Sequence, residues 1–243
     1  YPAGLRHTSG MKVAPRLGFA WDPFGDGKTA VRAGAGIFYN LREQGNRGWG
    51  TWRNPPLRAE PIIYYGNVAT FINSTGVEFP SATSGFLPKW PVARTMNYSF
   101  GVQRHVGFGT VVDASYVASL GRFLPHARNL NSIPFGSNFA KHFEDPTNPG
   151  RPLPAAFLRP YMGYNDVTLY EYASNSSYHS LQVTANRRFA QGLQFGAAWT
   201  WSKAMGYADT DTTAVSNLIN PKVWNYGRTG FDRTHILVFN WVW

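Results

Sequence analysis

The segment NSSYHSLQVTANRRFAQGLQFGAAWTWSKAM, residues 175–205, decides the fold. Ser180, Gln182, Thr184, Asn186 and Arg188 fall on one face of an extended chain, with Leu181, Val183, Ala185 and Phe189 on the other. After Gln191-Gly192 the alternation resumes. Leu193, Phe195, Ala197, Trp199 and Trp201 oppose Gln194, Gly196, Ala198, Thr200 and Ser202. Two period-two stretches around a short glycine-bearing turn predict an antiparallel hairpin. One greasy face and one small or polar face is the pattern of a wall with lipid on one side and a wet lumen on the other. Arg187 breaks the apolar face, but it lies near the turn, where its long side chain can snorkel to the interface.

The same division recurs along the chain. In residues 29–40, Val31, Ala33, Ala35, Ile37 and Tyr39 oppose Ala30, Arg32, Gly34, Gly36, Phe38 and Asn40. In residues 97–105, Tyr98, Phe100 and Val102 oppose Asn97, Ser99, Gly101 and Gln103. Residues 110–118 set Val112, Ala114, Tyr116 and Ala118 against Val111, Asp113, Ser115 and Val117. The first strand groups Leu17, Phe19 and Trp21; the last, residues 234–243, groups Leu237, Phe239, Trp241 and Trp243.

Connections alternate in length. Residues 23–28, 106–109 and 190–192 are short and carry glycine, whereas residues 41–94, 119–178 and 204–233 are long and hold most of the prolines. The second long connection has room for a small hairpin around residues 167–174. Outer-membrane barrels show this rhythm, with short periplasmic turns and long extracellular loops. The expected fold class is therefore all-β: an antiparallel up-and-down transmembrane β-barrel segment. It comprises about seven or eight strands of a larger barrel, with residues 1–243 forming one partial β-barrel domain. Bacterial single-chain barrels generally close with an even strand number, so the seven crossings counted here read as an incomplete piece.

Composition agrees with this and excludes other classes. Aromatics reach 16%, with nine Trp, 13 Tyr and 17 Phe, while charged residues are 15%, against roughly 25% in average soluble domains. An aromatic-rich soluble β-sandwich shares that composition but has no systematic short-long rhythm of connections. No run is long and apolar enough for a spanning helix. With no cysteine, disulfides and thiolate sites are impossible. The net charge of +10 comes from scattered basic residues; only Arg187-Arg188 adjoin, so nucleic acid is not an expected partner. The chain starts at Tyr1 with no signal-like leader, which reads as a removed signal or an excerpt.

Four phrases carry a family likeness: PRLGFAWDPFGDGKTAVRAGAGIFY (15–39), NYSFGVQRHVGFGTVVDASYVASLGRFL (97–124), the 175–205 segment, and TGFDRTHILVFNWVW (229–243). In this order they resemble the barrel of TonB-dependent receptors, specifically Oar-like members of the carboxypeptidase-regulatory-like-domain-containing type, as a C-terminal barrel fragment. YHSLQVTANRRF, WTWSKA and FDRTH are the best-matched words. The resemblance implies a barrel of about 22 strands around a plug domain, energised through TonB and passing a bulky ligand. It also implies a Gram-negative cell outer membrane, with membrane lipid and lipopolysaccharide as surroundings. No TonB box, plug or regulatory-like sequence lies within these residues. The alternative is a β-rich surface or assembly module, or a glycan-binding one, that keeps such strands without transporting. A terminal aromatic at Trp243 would suit the end of a small barrel.

No catalytic, metal or cofactor constellation emerges. Gly34-Ala35-Gly36 lacks the third glycine of a dinucleotide fingerprint, because Tyr39 occupies that place. The six histidines show no ligand spacing, and Asp209-Thr210-Asp211 lacks the remaining ligands of a Ca²⁺ loop. Asp113, Glu171 and Asp232 stand isolated in sequence. The functional candidates are instead positional. Trp21, Trp241 and Trp243 are expected at the periplasmic interface, and Tyr39, Trp199 and Trp201 at the outer one. Arg32, Asp113, Gln182 and Arg188 are expected on the lumen face, where the charges of Asp113 and Arg188 can pair across strands or contact a plug, a structural salt bridge being the first expectation and ligand contact the alternative. Trp49, Trp52, Tyr64, Tyr65 and Trp90 in the first long loop are candidates for ligand contact, packing being the alternative.

Overall fold

The computed structural model describes residues 10–40, 54, 57, 58, 62–69, 77–79, 82–87, 89, 91–162, 164–210 and 214–243. Its strands are β1 (Arg16–Trp21), β2 (Thr29–Asn40), β3 (Ile62–Tyr64), β4 (Val77–Phe79), β5 (Thr83–Phe86), β6 (Ala93–Gly107), β7 (Thr110–Asn129), β8 (Val167–Ala190), β9 (Leu193–Gly206), β10 (Ala214–Val215), β11 (Gly227–Arg228) and β12 (His235–Val242). The seven long strands pair in chain order, β1-β2-β6-β7-β8-β9-β12, each antiparallel to the next. With β5, β10 and β11 they make one ten-stranded sheet, while β3 and β4 pair separately. Among the described residues β1 pairs only with β2 and β12 only with β9, so the sheet is open.

Register turns the alternation of single strands into a continuous surface. One paired row reads Trp21, Val31, Val102, Ala114, Val183, Trp199 and Leu237. The parallel row two residues along reads Phe19, Ala33, Phe100, Tyr116, Leu181, Trp201 and His235. Every wall strand therefore turns its greasy set to the same side. That side is bare: Phe19, Phe100 and Trp201 are each 53% exposed and Leu237 72%. A soluble sandwich would cover such a face with a second layer; here lipid is the layer.

The rows climb. Trp21 adjoins the 22–28 turn, whereas Val183 and Trp199 in the same row stand well above the turn at Gln191-Gly192. If the short turns share one level, the strands are tilted, as barrel walls require.

Turn chemistry explains the tight end. Gln191 and Gly192 have φ of 52° and 77°, both positive, as a two-residue I′ hairpin demands. In the 22–28 turn the Asp22 carboxylate accepts the N–H groups of Phe24, Gly25 and Gly27 at 3.2, 3.1 and 2.8 Å. The Gly27 bond above all holds the Asp22 carboxyl below its ordinary range.

The other end differs from the sequence expectation. Residues 119–129 and 167–178, read above as loop, are strand, and residues 167–174 are no separate hairpin but the start of β8. β7 and β8 run on past the end of β6 as a tall projecting hairpin, with register shifts at Phe123 and Ala173. Phe123 sits at φ 56°, which the bulge imposes on its backbone. Neighbouring loops cover the free flanks: β5 adds parallel to β8 over Val167 to Tyr170, and β10 adds parallel to β7 at Ala127 and Arg128. Such strand addition satisfies edges that would otherwise stand bare. A small core forms here from Ala93, Tyr172, Phe123 and Tyr170, with the Arg94 guanidinium 5.2 Å from the Phe123 ring centre.

Candidate functional site

The face opposite the greasy one is small and polar, set by the same register. Gly34, Ser99, Val117, Ser180 and Ser202 form one of its rows, and Ala30, Gln103, Asp113 and Thr184 part of another. Gly101 lets the wall pack tightly, because a Cβ there would meet the Ser115 hydroxyl. Two hollows open on this face. The outer one, about 540 Å³, lies at the mouth among Asn40, Thr95, Ser119, Ser176 and Tyr178, with Asp209 and Phe231 over it. Its wall offers hydroxyls and amides with few charges. The inner one, about 530 Å³, lies by the 22–28 turn and is lined by Lys28, Arg32, Gln103 and His105, a basic set.

Polar side chains brace the mouth. The β7–β8 hairpin buries His126, only 1% exposed. Its Nδ1 lies 2.6 Å from Ser174 Oγ and its Nε2 3.0 Å from Glu171 Oε1. Arg128 Nε lies 3.0 Å from that same carboxylate oxygen. Burial pushes the imidazole pKa down, against the opposing pull of Glu171, so the ring is held toward its neutral form. Asn131, fully buried, donates to the carbonyls of Tyr161, Tyr164 and Asn165 and accepts from the Tyr161 N–H at 2.8 Å, tying together the 130–166 loop.

The FDRTH phrase has a structural reason. β11 and β12 both pair with β9, but between them the register moves by three residues, making a bulge opposite Lys203. Asp232 plugs the gap by accepting the Ala204 N–H at 2.6 Å, while Ser202 Oγ donates to the Arg233 carbonyl at 2.8 Å. Asp209 accepts from the Gly230 N–H at 2.9 Å, so this carboxylate serves as a loop brace; Asp211 lies outside the described residues.

The candidates from sequence fall as follows. Trp21 and Trp241 stand beside short turns, and Trp199, Trp201 and Tyr39 farther up, all on the greasy face; Trp243 follows β12 and is 96% exposed. Arg32, Asp113 and Gln182 lie on the opposite face. Gln182 Nε2 donates to Ser180 Oγ at 3.2 Å. The expected Asp113–Arg188 salt bridge is not formed. Asp113 accepts the Ser115 hydroxyl at 2.5 Å, and Arg188 sits at the hairpin tip, its N–H bonded to the Gly109 carbonyl. Thr184, not Arg188, is the residue opposite Asp113. Tyr64 and Tyr65 both pack on Phe157, and the Tyr65 hydroxyl donates to Asp145 at 3.1 Å. Trp49, Trp52 and Trp90 lie outside the described residues. Reading the sequence missed His126, Arg128, Ser174 and Asn131, and left Glu171 and Asp232 isolated; only the antiparallel register joins them. Among the described residues no cluster of three metal-ligating side chains occurs, and no helix is long and apolar enough to cross a membrane, which says nothing of strands.

An open, tilted antiparallel wall with one lipid face and one wet face defines a protein of the outer-membrane barrel class. The chain belongs to the outer membrane beta barrel domain family, which it matches over residues 1–243. Its fold is similar to the outer membrane transporter YddB from Escherichia coli, with TM-score 0.57 and 12% identity over 96% of this chain and 26% of that one. The siderophore receptor PirA from Pseudomonas aeruginosa also aligns, with TM-score 0.39 and 12% identity over 79% of this chain and 28% of that one. The chain thus spans about a quarter of the length of each of these proteins. No curated protein sequence matches it. The protein is an outer-membrane β-barrel wall.

Proposed function

We propose that this wall belongs to a TonB-dependent receptor of the Oar-like type and takes part in capturing a bulky ligand and passing it across the outer membrane. The single observation that carries the reading is the shared register, which gives one sheet a continuous apolar face and a continuous polar face with a hollow at its mouth. The likeness to the barrel of an outer membrane transporter supports it as far as fold. In this reading the neutral hydroxyls and amides of the outer hollow meet an uncharged polar ligand. Tyr64 and Tyr65 hold the loops above it. The basic inner hollow at Lys28, Arg32 and His105 faces the plug. Trp21, Trp241 and Trp243 form the periplasmic belt, and Tyr39, Trp199 and Trp201 the outer one.

The test is genetic. Strains lacking this gene, and strains lacking TonB, are compared for uptake across a panel of labelled oligosaccharides, peptides and metal chelates. The expected result is that every solute lost with this gene is also lost with TonB. A solute whose uptake is lost with this gene but retained in the strain lacking TonB sinks the energised mechanism. No loss of any solute, with surface adhesion or assembly impaired instead, points to the non-transporting module.

A further inference from the structure

The FDRTH phrase also places an aromatic ring outside the strand ladder. Phe231, between β11 and β12, lines the outer hollow and is 62% exposed. The chain on either side of it is pinned. Gly230 donates its N–H to Asp209 at 2.9 Å, and Asp232 donates its own to the Thr229 carbonyl at 3.0 Å while its carboxylate takes the Ala204 N–H. A large apolar ring is thus held out from a braced turn, over the polar floor of the mouth. Leaving it there forgoes the stabilisation that burial of such a ring would bring.

Register builds the floor. Thr95, Gly121, Ser176 and Gly206 lie side by side in one row across β6 to β9, with Ser119, Tyr178 and Ala204 in the row below. Glycine keeps the cradle open, because a Cβ at Gly121 would strike the Ser176 hydroxyl. Lower on the same face the polar groups are spent on the protein itself. Ser180 Oγ donates to the Val117 carbonyl at 3.3 Å, Gln182 Nε2 to Ser180 Oγ, and Ser202 Oγ to the Arg233 carbonyl. Around the hollow the pattern reverses: among the described residues Thr95, Ser119, Asn175 and Ser176 make no side-chain hydrogen bond. These hydroxyls and this amide can each both donate and accept. Of the charged groups in the lining, the Arg94 guanidinium lies over the Phe123 ring and Asp209 holds the Gly230 N–H.

We infer that the outer hollow binds a neutral oligosaccharide, with Phe231 against the C–H face of a pyranose ring and Thr95, Ser119 and Ser176 on its hydroxyls. The inference rests on the receptor reading and narrows its uncharged polar ligand to one chemical class. A pyranose joins a flat apolar patch to a rim of hydroxyls, which matches a bare aromatic ring facing unspent hydroxyls. The volume of about 540 Å³ suits one or a few such rings. An anionic metal chelate would need a cationic lining. An extended peptide would need a bare backbone edge, whereas β7 and β8 are paired on both sides at this height.

The full-length protein in detergent micelles is titrated calorimetrically with neutral gluco-, galacto- and manno-oligosaccharides, with uronate oligomers, with neutral tripeptides and with ferric citrate. The expected result is binding of at least one neutral oligosaccharide and of none of the others. F231A should weaken it roughly threefold to tenfold, the range for one aromatic contact, and F231W should restore it. S119A/S176A should weaken it by a similar factor through lost hydrogen bonds. F135A, an exposed ring outside the hollow's lining, should leave it unchanged. Binding of no neutral oligosaccharide overturns the inference on the native protein, without any variant. So does equal binding of the uronates or tripeptides, or an F231A affinity equal to the native one. Uptake separates this inference from the receptor reading. A sugar that binds but is not imported leaves the site standing and removes transport; TonB-dependent import of a chelate or peptide in its place removes the site and leaves the receptor.

Discussion

β7 and β8 are each one continuous strand, yet their lower and upper halves are built by opposite rules. Below Arg122 the pairing is regular, apolar side chains point outward, and Tyr116 is 39% exposed to what is lipid in the cell. Above it the register slips twice, apolar Tyr172 is 5% exposed, and polar His126 is 1% exposed. The change of solvent explains the change of rule. In hydrocarbon the greasy side chains need no protein cover, and the ladder must stay unbroken. In water the same ribbon must make its own core, so bulges turn side chains inward and loop strands cover its flanks.

The sharpest way to break that contrast is a charge on the lower half. Val183→Arg, on the lipid face, should destabilise the folded barrel by about 2–4 kcal/mol if it lies near the midplane. Gln182→Arg, one residue away on the polar face, should cost far less. Urea unfolding in lipid vesicles measures both, and equal costs would mean the two faces are not different solvents. In the upper half the sensitive group is polar. Glu171→Ala strips His126 and Arg128 of their shared acceptor. It should loosen the projecting hairpin by about 1–3 kcal/mol, the cost of leaving buried polar groups unpaired. Hydrogen exchange should then rise over residues 124–129 and 167–174 and stay unchanged in the wall.

Acid should separate the halves in the same direction. His126 has its pKa lowered by burial, from an ordinary value of 6.5. The folded hairpin therefore binds fewer protons than the unfolded one. Its contribution is complete above pH 6.5 and is lost as pH falls below that value toward the depressed folded pKa. Exchange protection of the projecting hairpin should fall between pH 7.5 and 5.5 while the wall keeps its own, and His126→Gln should flatten the response. The smallest effect belongs to the tight end. Gln191 pays for a positive φ of 52°, and Gln191→Asn should stabilise the hairpin by under about 1 kcal/mol, read from the urea midpoint.

The same contrast decides what was legible in the sequence. The wall strands were legible because a lipid face and a lumen face impose strict alternation, and residues 29–40 match β2 from end to end. The projecting parts of β7 and β8 were not, because Phe123, Pro125 and the slip at Ala173 break the period that signals a strand. β5, β10 and β11 span four residues or fewer, too short to show any period. The two faces were readable, since parity alone assigns them. The His126–Glu171–Arg128 group was not, because it joins residues more than forty positions apart. The Asp113–Arg188 pairing failed for a related reason: parity gives the side of a sheet but not the height along it.

Height is what the climbing rows supply. Because the strands lean, the side-by-side neighbours Trp21, Val31, Val102, Ala114, Val183, Trp199 and Leu237 do not share a level. The row crosses the bilayer obliquely, and so acts as a graduated ruler laid into the protein. A single spin label or quencher moved from one of these positions to the next would sound the membrane from its inner rim toward its outer one, with every mark held at a fixed spacing by the backbone ladder itself.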